Sequence, residues 1–255
     1  MAPMRRDGAE GEADAAWSLV VPLKPLVRAK SRLSRAAGED VRPRLALAFA
    51  LDTVTAALAC KDVRDVAVVT DDRLAGERLA ALGARILPDT PADGLNAALA
   101  HGARAVRARR PGAPVAALNA DLPALRPAEL ELVLHSASQF PRAFLADASD
   151  FGTTLLTATS GVELEPAFGG PSRARHLASG AREITAPGVP SVRRDVDTGE
   201  DLLAALALGV GPHTALQAPY LAAGTPPAAG GAATGTDAQD GSQRRLPPQV
   251  RASGA

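Results

Sequence analysis

WSLVVPLKPLVRAKSRLS, residues 17–34, reads as a buried first strand, WSLVV, running through Pro22 into a loop that carries Lys24, Arg28, Lys30 and Arg32, with Arg35 just beyond. Five cations within twelve residues repel one another unless water or an anion compensates them. Two readings follow: a solvated basic surface, or an anion site at the end of a strand. The choice rests on what else the chain brings to the same place.

Outward from this stretch, strand-like and helix-like runs alternate. A long helix is predicted over 41–60, a strand over VRDVAVVT (63–70), and a helix from Asp71 or Asp72 to Leu82, with Gly83 as its stop. ARILPD (84–89) and PVAALNAD (114–121) read as strands on either side of the helix GLNAALAHGARAVRAR. A further helix opens at Arg126-Pro127, proline being favoured in a first turn. RAFLAD (142–147) and TTLLTAT (153–159) add two strands, PSRARHLAS a short helix stopped by Gly180, and EDLLAALAL the last helix. Alternation of this kind argues an α/β fold with a mostly parallel sheet and right-handed crossovers. Ligands of such sheets bind outside the carboxyl ends of the strands.

Composition narrows the function classes. Basic and acidic residues balance at 28 each, so no global basic field exists to hold nucleic acid or an anionic membrane, and an anion site must be local. An aromatic content of 3% argues against stacking platforms for single strands. The single cysteine, Cys60, excludes an internal disulfide and a cysteine-rich zinc site. The N-terminal residues carry acidic groups and no apolar core of a signal peptide, and LALAFALDTVTAALAC, with Asp52 and two threonines, reads as a buried helix and not a membrane span. A cytoplasmic location is expected. Residues 1–16 and the Gly-, Pro- and Ala-rich tail 222–255 are expected to be disordered, leaving 17–221 as one domain.

Three strand ends and one glycine turn carry groups suited to chemistry. The loop after WSLVV has neither GxGxxG nor GxxxxGK[ST], so phosphate binding there must use Lys and Arg side chains more than bare backbone. Asp121 ends the run in NADLPAL, either as a carboxylate facing the ligand crevice or as a turn residue before Pro123. In RRDVDTGEDL (193–202), Asp195 and Asp197 share one side of an extended segment, where two carboxylates repel unless a cation sits between them. Mg²⁺ takes one or two protein carboxylates and completes its shell with water and substrate phosphates. Capping of the last helix by Thr198 and Asp201 is the competing account, and it leaves Asp195 without a role. FGGPSRARHLASG (168–180) brings backbone close to a ligand at two glycines before a helix opens at Pro171-Ser172, either as a structural turn or as an anion site. His176 lies one turn after Ser172, where contact with a bound anion is the less favoured of its readings; no HExxH or GxSxG pattern occurs.

VPLKPLVRAKSRLS, DGLNAAL, NADLPAL, FGTTLLTA, FGGPSRARH and DVDTGEDL, in this order and across roughly residues 17–215, resemble the guanylyltransferases of coenzyme F(420) biosynthesis. The resemblance implies a three-layer α/β/α nucleotidyltransferase-type sandwich that joins GTP to phosphoenolpyruvate or 2-phospho-L-lactate. It implies Mg²⁺ or Mn²⁺ held by Asp121, Asp195 and Asp197, with Lys30 and Asp121 as catalytic residues. Lys24, Lys30 and Arg32 would then meet the GTP phosphates, and Thr154, Gly169 and Ser172 the phosphorylated acid. FGTT stands where archaeal members show a GTN pattern, which favours phosphoenolpyruvate. Phospholactate, 3-phosphoglycerate, or another metal-dependent nucleotidyl or glycosyl transfer are the alternatives. The oligomeric state stays open.

Overall fold

Leu19, Val20 and Val21 are wholly buried because the strand that holds them is covered on both faces, which is why it reads as a near-continuous apolar run. The computed structural model describes residues 16–28, 41–90 and 92–217. Within these, β1 (Trp17–Pro22) is followed by α1 (Val41–Leu58), β2 (Val63–Val69), α2 (Arg73–Ala81), β3 (Arg85–Leu87), α3 (Leu95–Arg109) and β4 (Val115–Leu118). The second half contributes α4 (Pro127–Ala137), β5 (Arg142–Ala146), β6 (Thr153–Ala158), α5 (Ser172–Ala178) and β7 (Arg182–Glu183). Short helices α6 (Pro190–Arg193) and α8 (Pro212–Ala215) flank α7 (Gly199–Leu208). Apart from Ala16, both tails expected to be disordered lie outside the described residues, as do Lys30 and Arg32.

The described strands form one sheet in the order β3-β2-β1-β4-β6-β5-β7. Leu19 and Val21 of β1 point into one apolar layer with α1, α2 and α4, and Val20 points into the other with α3. This is the three-layer α/β/α arrangement expected. Gly102 sets the distance of α3 from the sheet: a β-carbon there would lie 2.4 Å from the Val20 side chain, so only glycine lets the helix seat this deeply. A third apolar cluster packs Leu202 and Ala205 of α7 against Leu45 and Phe49 of α1.

The sheet is mixed to a degree the sequence did not announce. β6 runs antiparallel to both neighbours, β4 and β5, while the other pairings are parallel. A loop of only six residues, 147–152, joins β5 to β6, too short for a crossover helix, so the two strands form a hairpin. Reversal brings the first residue of β6 to the edge where β1, β4 and β5 end.

One side chain stitches α1 to that edge. Buried Thr53 donates to the Phe49 carbonyl at 2.7 Å and accepts from the Leu122 amide at 3.0 Å, holding the turn that follows β4. Thr53→Val keeps the shape and strands the buried amide. We expect a loss of about 1–3 kcal/mol, read as a lower urea midpoint at unchanged slope.

Candidate active site

The chain leaves β1 toward β2 and β3 on one side and reaches β4 on the other, so a crevice opens between the carboxyl ends of β1 and β4. A cavity of about 520 Å³ fills it. Pro22, Leu23 and Lys24 line it from the end of β1, and Asn119, Ala120 and Asp121 from the end of β4. The loop beyond Lys24 is tied down at its start, where the Leu26 amide donates to Asp72 at 2.9 Å, the same carboxylate that caps α2. Lys24 is exposed on the cavity wall.

Asp121, Asp195 and Asp197 come together on this cavity from segments more than seventy residues apart. The Val196 amide donates to the Asp121 carbonyl at 3.1 Å, which pins the two segments side by side. Val196 itself is wholly buried against α1 and α7, so the residues flanking it emerge on the cavity side. The capping box on α7 is also present: Thr198 accepts from the Asp201 amide at 3.2 Å, and Asp201 accepts from the Thr198 amide at 3.0 Å. Capping and cavity lining are therefore concurrent uses of one segment, with Thr198 and Asp201 in the first and Asp195 and Asp197 in the second.

An oxygen-only donor set of this kind suits Mg²⁺ or Mn²⁺ and not zinc. Among the described residues no group of three His, Cys, Asp or Glu side chains encloses a metal site by itself.

The opposite wall is built from the start of β6 and the turn before α5. Gly169 (φ 90°) and Gly170 (φ 49°) both occupy the left-handed region, where a side chain would be strained, and both line the cavity. Asn96 holds this turn from two sides, accepting from the Phe168 amide at 2.8 Å and donating to the Phe168 carbonyl at 3.2 Å. Asp147 does the same for the β5–β6 loop, accepting from the amides of Ser149, Phe151 and Gly152 at 2.8–3.1 Å. Behind the wall lies His176, wholly buried between Phe144 and Phe168. Its Nε2 accepts from the Ala167 amide at 3.0 Å and its Nδ1 lies 3.0 Å from the Thr153 hydroxyl, which in turn is 3.1 Å from the Ser172 hydroxyl. Burial, then the charges of Arg142 and Arg175, hold the imidazole down at about 4.

Lys24, Asp121, Gly169, Ser172, Asp195 and Asp197, singled out in the sequence, all line one cavity. Thr154 does not. It is wholly buried, its hydroxyl makes no hydrogen bond among the described residues, and Thr153 faces the cavity in its place. Neighbours on a strand point to opposite faces, so only one of the pair can serve as a side-chain ligand. The alternation was legible in FGTTLL; which of the two threonines faces the ligand depends on where the sheet's layers lie. Asn119, Asp147 and Asn96 were not singled out. Each acts through backbone contacts, which leave no mark in sequence spacing. His176 supports the wall from behind instead of touching a ligand. Burial pushes the Cys60 thiol up, away from nucleophilic reactivity.

Comparison with known proteins locates this architecture. The family model described as "Guanylyl transferase CofC like" matches residues 17–218. A Streptomyces coelicolor protein named phosphoenolpyruvate guanylyltransferase is 68% identical over 205 residues, covering 80% of this chain and 97% of its own length. Its Thermomonospora curvata namesake is 58% identical over 215 residues, 84% of this chain and 94% of its own. Among solved structures, a Methanothermobacter nucleotidyl transferase aligns over 81% of this chain and 98% of its own with a TM-score of 0.56 at 22% identity. A 4-diphosphocytidyl-2C-methyl-D-erythritol synthase aligns over 76% of this chain and 99% of its own with a TM-score of 0.53 at 12% identity. At these identities the two structures speak to the fold alone.

His176 gives the site a pH signature. Its folded value lies below the ordinary histidine value of 6.5, so between 6.5 and about 4 the unfolded chain binds the extra proton. The stability it contributes is full above pH 6.5 and is lost as pH falls toward 4. We expect the melting temperature of wild type to exceed that of His176→Asn at pH 7.5 and the gap to narrow steadily in melts taken down to pH 4.5.

Proposed function

The chain belongs to the CofC-like guanylyl transferase family, and from that premise we propose that it joins GTP to phosphoenolpyruvate, giving enolpyruvyl-diphospho-5′-guanosine and pyrophosphate on the route to coenzyme F(420). One observation carries the reading to these residues: Lys24 and three carboxylates on one wall of a cavity, and a glycine turn with two hydroxyls on the other. The first wall suits a triphosphate and its counterions, the second a small phosphorylated acid.

A phosphate monoester has a second pKa near ~6, so at neutral pH the acceptor's phosphate oxygen is mostly ionised already. It attacks the α-phosphorus of GTP, and the bond to the β-phosphate oxygen breaks to release pyrophosphate. No general base is needed for this, in keeping with a cavity whose one nearby imidazole is buried behind the wall. What remains for the protein is to let two anions approach and to hold charge on the leaving group. Lys24, with Lys30 and Arg32 further along the sequence, is proposed to bind the triphosphate, and Lys30 to stabilise the departing charge. Asp121, Asp195 and Asp197 are proposed to hold Mg²⁺ or Mn²⁺, which when bound would screen the two anions and the leaving pyrophosphate from one another. Gly169, Gly170 and the Ser172 hydroxyl are proposed to hold the acceptor. The reading puts the reaction in the cytoplasm.

Pyrophosphate release tests it, each of the four common nucleoside triphosphates being paired with phosphoenolpyruvate, phospholactate and 3-phosphoglycerate. GTP with phosphoenolpyruvate should give the highest kcat/KM, and a higher value for phospholactate would reassign the acceptor. Turnover should vanish in excess EDTA, return with Mg²⁺ or Mn²⁺, and fall by orders of magnitude in Asp121→Asn and Asp197→Asn. Lys24→Ala, an exposed position, should leave the melting temperature unchanged. Its KM for GTP should rise about tenfold or more, the worth of a charge-assisted phosphate contact of about 1.5–3 kcal/mol.

A further inference from the structure

We propose that His176 is a positioning residue that fixes the direction of the Thr153–Ser172 hydroxyl pair, so that the pair offers a hydrogen-bond donor to an anionic group of the acceptor. This deepens the acceptor assignment of the preceding subsection and rests on it.

The argument begins at Ala167. A backbone amide can only donate, and the Ala167 amide points at Nε2 of His176 at 3.0 Å. Nε2 therefore carries no proton. The ring is neutral, as its burial demands and as its lowered value of about 4 agrees. A neutral imidazole has one N–H, so it sits on Nδ1 and is donated to the Thr153 hydroxyl oxygen at 3.0 Å.

Two hydroxyl hydrogens remain, one on Thr153 and one on Ser172. One of them spans the 3.1 Å between the two oxygens. If Ser172 donates to Thr153, the Thr153 hydrogen is left over; if Thr153 donates to Ser172, the Ser172 hydrogen is left over. Both residues belong to the cavity lining, and the leftover hydrogen is the donor that the proposal assigns to a ligand there. The other tautomer would reverse this. With the proton on Nε2, the Nδ1 lone pair would take the Thr153 hydrogen, Thr153 would take that of Ser172, and the pair would meet an anion with lone pairs only. The amide at Ala167 thus decides whether this hydroxyl pair attracts or repels a phosphate or carboxylate. Phe144 and Phe168, with ring centroids 5.6 and 5.2 Å from the imidazole, pack it on two sides and restrain any flip.

The tautomer can be read directly in wild-type protein without substrate, from long-range proton–nitrogen correlations of the His176 ring. A proton on Nδ1 at neutral pH is expected; a proton on Nε2, or a rapidly exchanging mixture, would overturn the proposal. Kinetics supply the second arm. His176→Asn keeps an N–H near the Nδ1 position and loses the acceptor for Ala167, whereas His176→Gln keeps the acceptor and loses the donor toward Thr153. Both shorten or soften the same buried ring, so a merely structural role predicts similar behaviour. We expect His176→Gln to raise the KM for phosphoenolpyruvate about tenfold or more, with the KM for GTP held within about twofold. His176→Asn should keep a clearly lower KM for phosphoenolpyruvate than His176→Gln, while Thr153→Val should behave like His176→Gln. Equal acceptor KM values for the Asn and Gln variants, or a KM for GTP that rises in step, would overturn the role of His176 while wild-type turnover keeps the functional reading intact. No pyrophosphate release by wild type with any of the three acids would defeat that reading and this proposal with it.

Discussion

The reversal of β6 is the constraint on which the site depends. A strand parallel to β4 in that position would start at the amino edge of the sheet, on the side away from the cavity. Running antiparallel between β4 and β5, it begins at the carboxyl edge instead, with Thr153 beside Asn119 and Asp147. The Asn119 amide, at the end of β4, donates to the Thr154 carbonyl at 3.0 Å and continues the ladder into the cavity floor. One wall of the crevice is thus sheet, and its geometry is as rigid as the ladder that forms it.

The opposite wall obtains its order differently. Asp195 and Asp197 belong to no strand or helix; a backbone bond from Val196 to Asp121, the donation of the Asp197 amide to Asp201 at 3.3 Å and the burial of Val196 beneath α1 and α7 help place them. The capping box at Thr198 and Asp201 fixes where α7 begins, and therefore where the acidic segment stops.

A buried imidazole beneath a site of transferring phosphates invites assignment as a base. Its surroundings argue otherwise. With Nε2 committed to the Ala167 amide and Nδ1 to Thr153, both ring nitrogens are occupied, and the ring contributes by orienting hydroxyls. The chemistry has little use for a base in any case, since the attacking oxygen is ionised before it arrives.

Strand-like and helix-like runs, read from apolar pattern and turn residues, determined the α/β class and located the longer strands and helices to within a few residues, because those signals are local; β7, α6 and α8 are too short to leave such a signal. The six ordered motifs likewise brought Lys24, Asp121, Gly169, Ser172, Asp195 and Asp197 to notice, since charged residues and glycines at strand ends are informative wherever the chain goes next. Only the tertiary structure decided that β6 is reversed, that Thr153 and not Thr154 faces the cavity, and that His176 lies behind the wall. A period of two says that neighbouring side chains diverge but not which layer each meets. That choice is set by the sheet's neighbours, by the depth at which Gly102 lets α3 settle, and by backbone amides such as that of Ala167, whose partners no sequence pattern records.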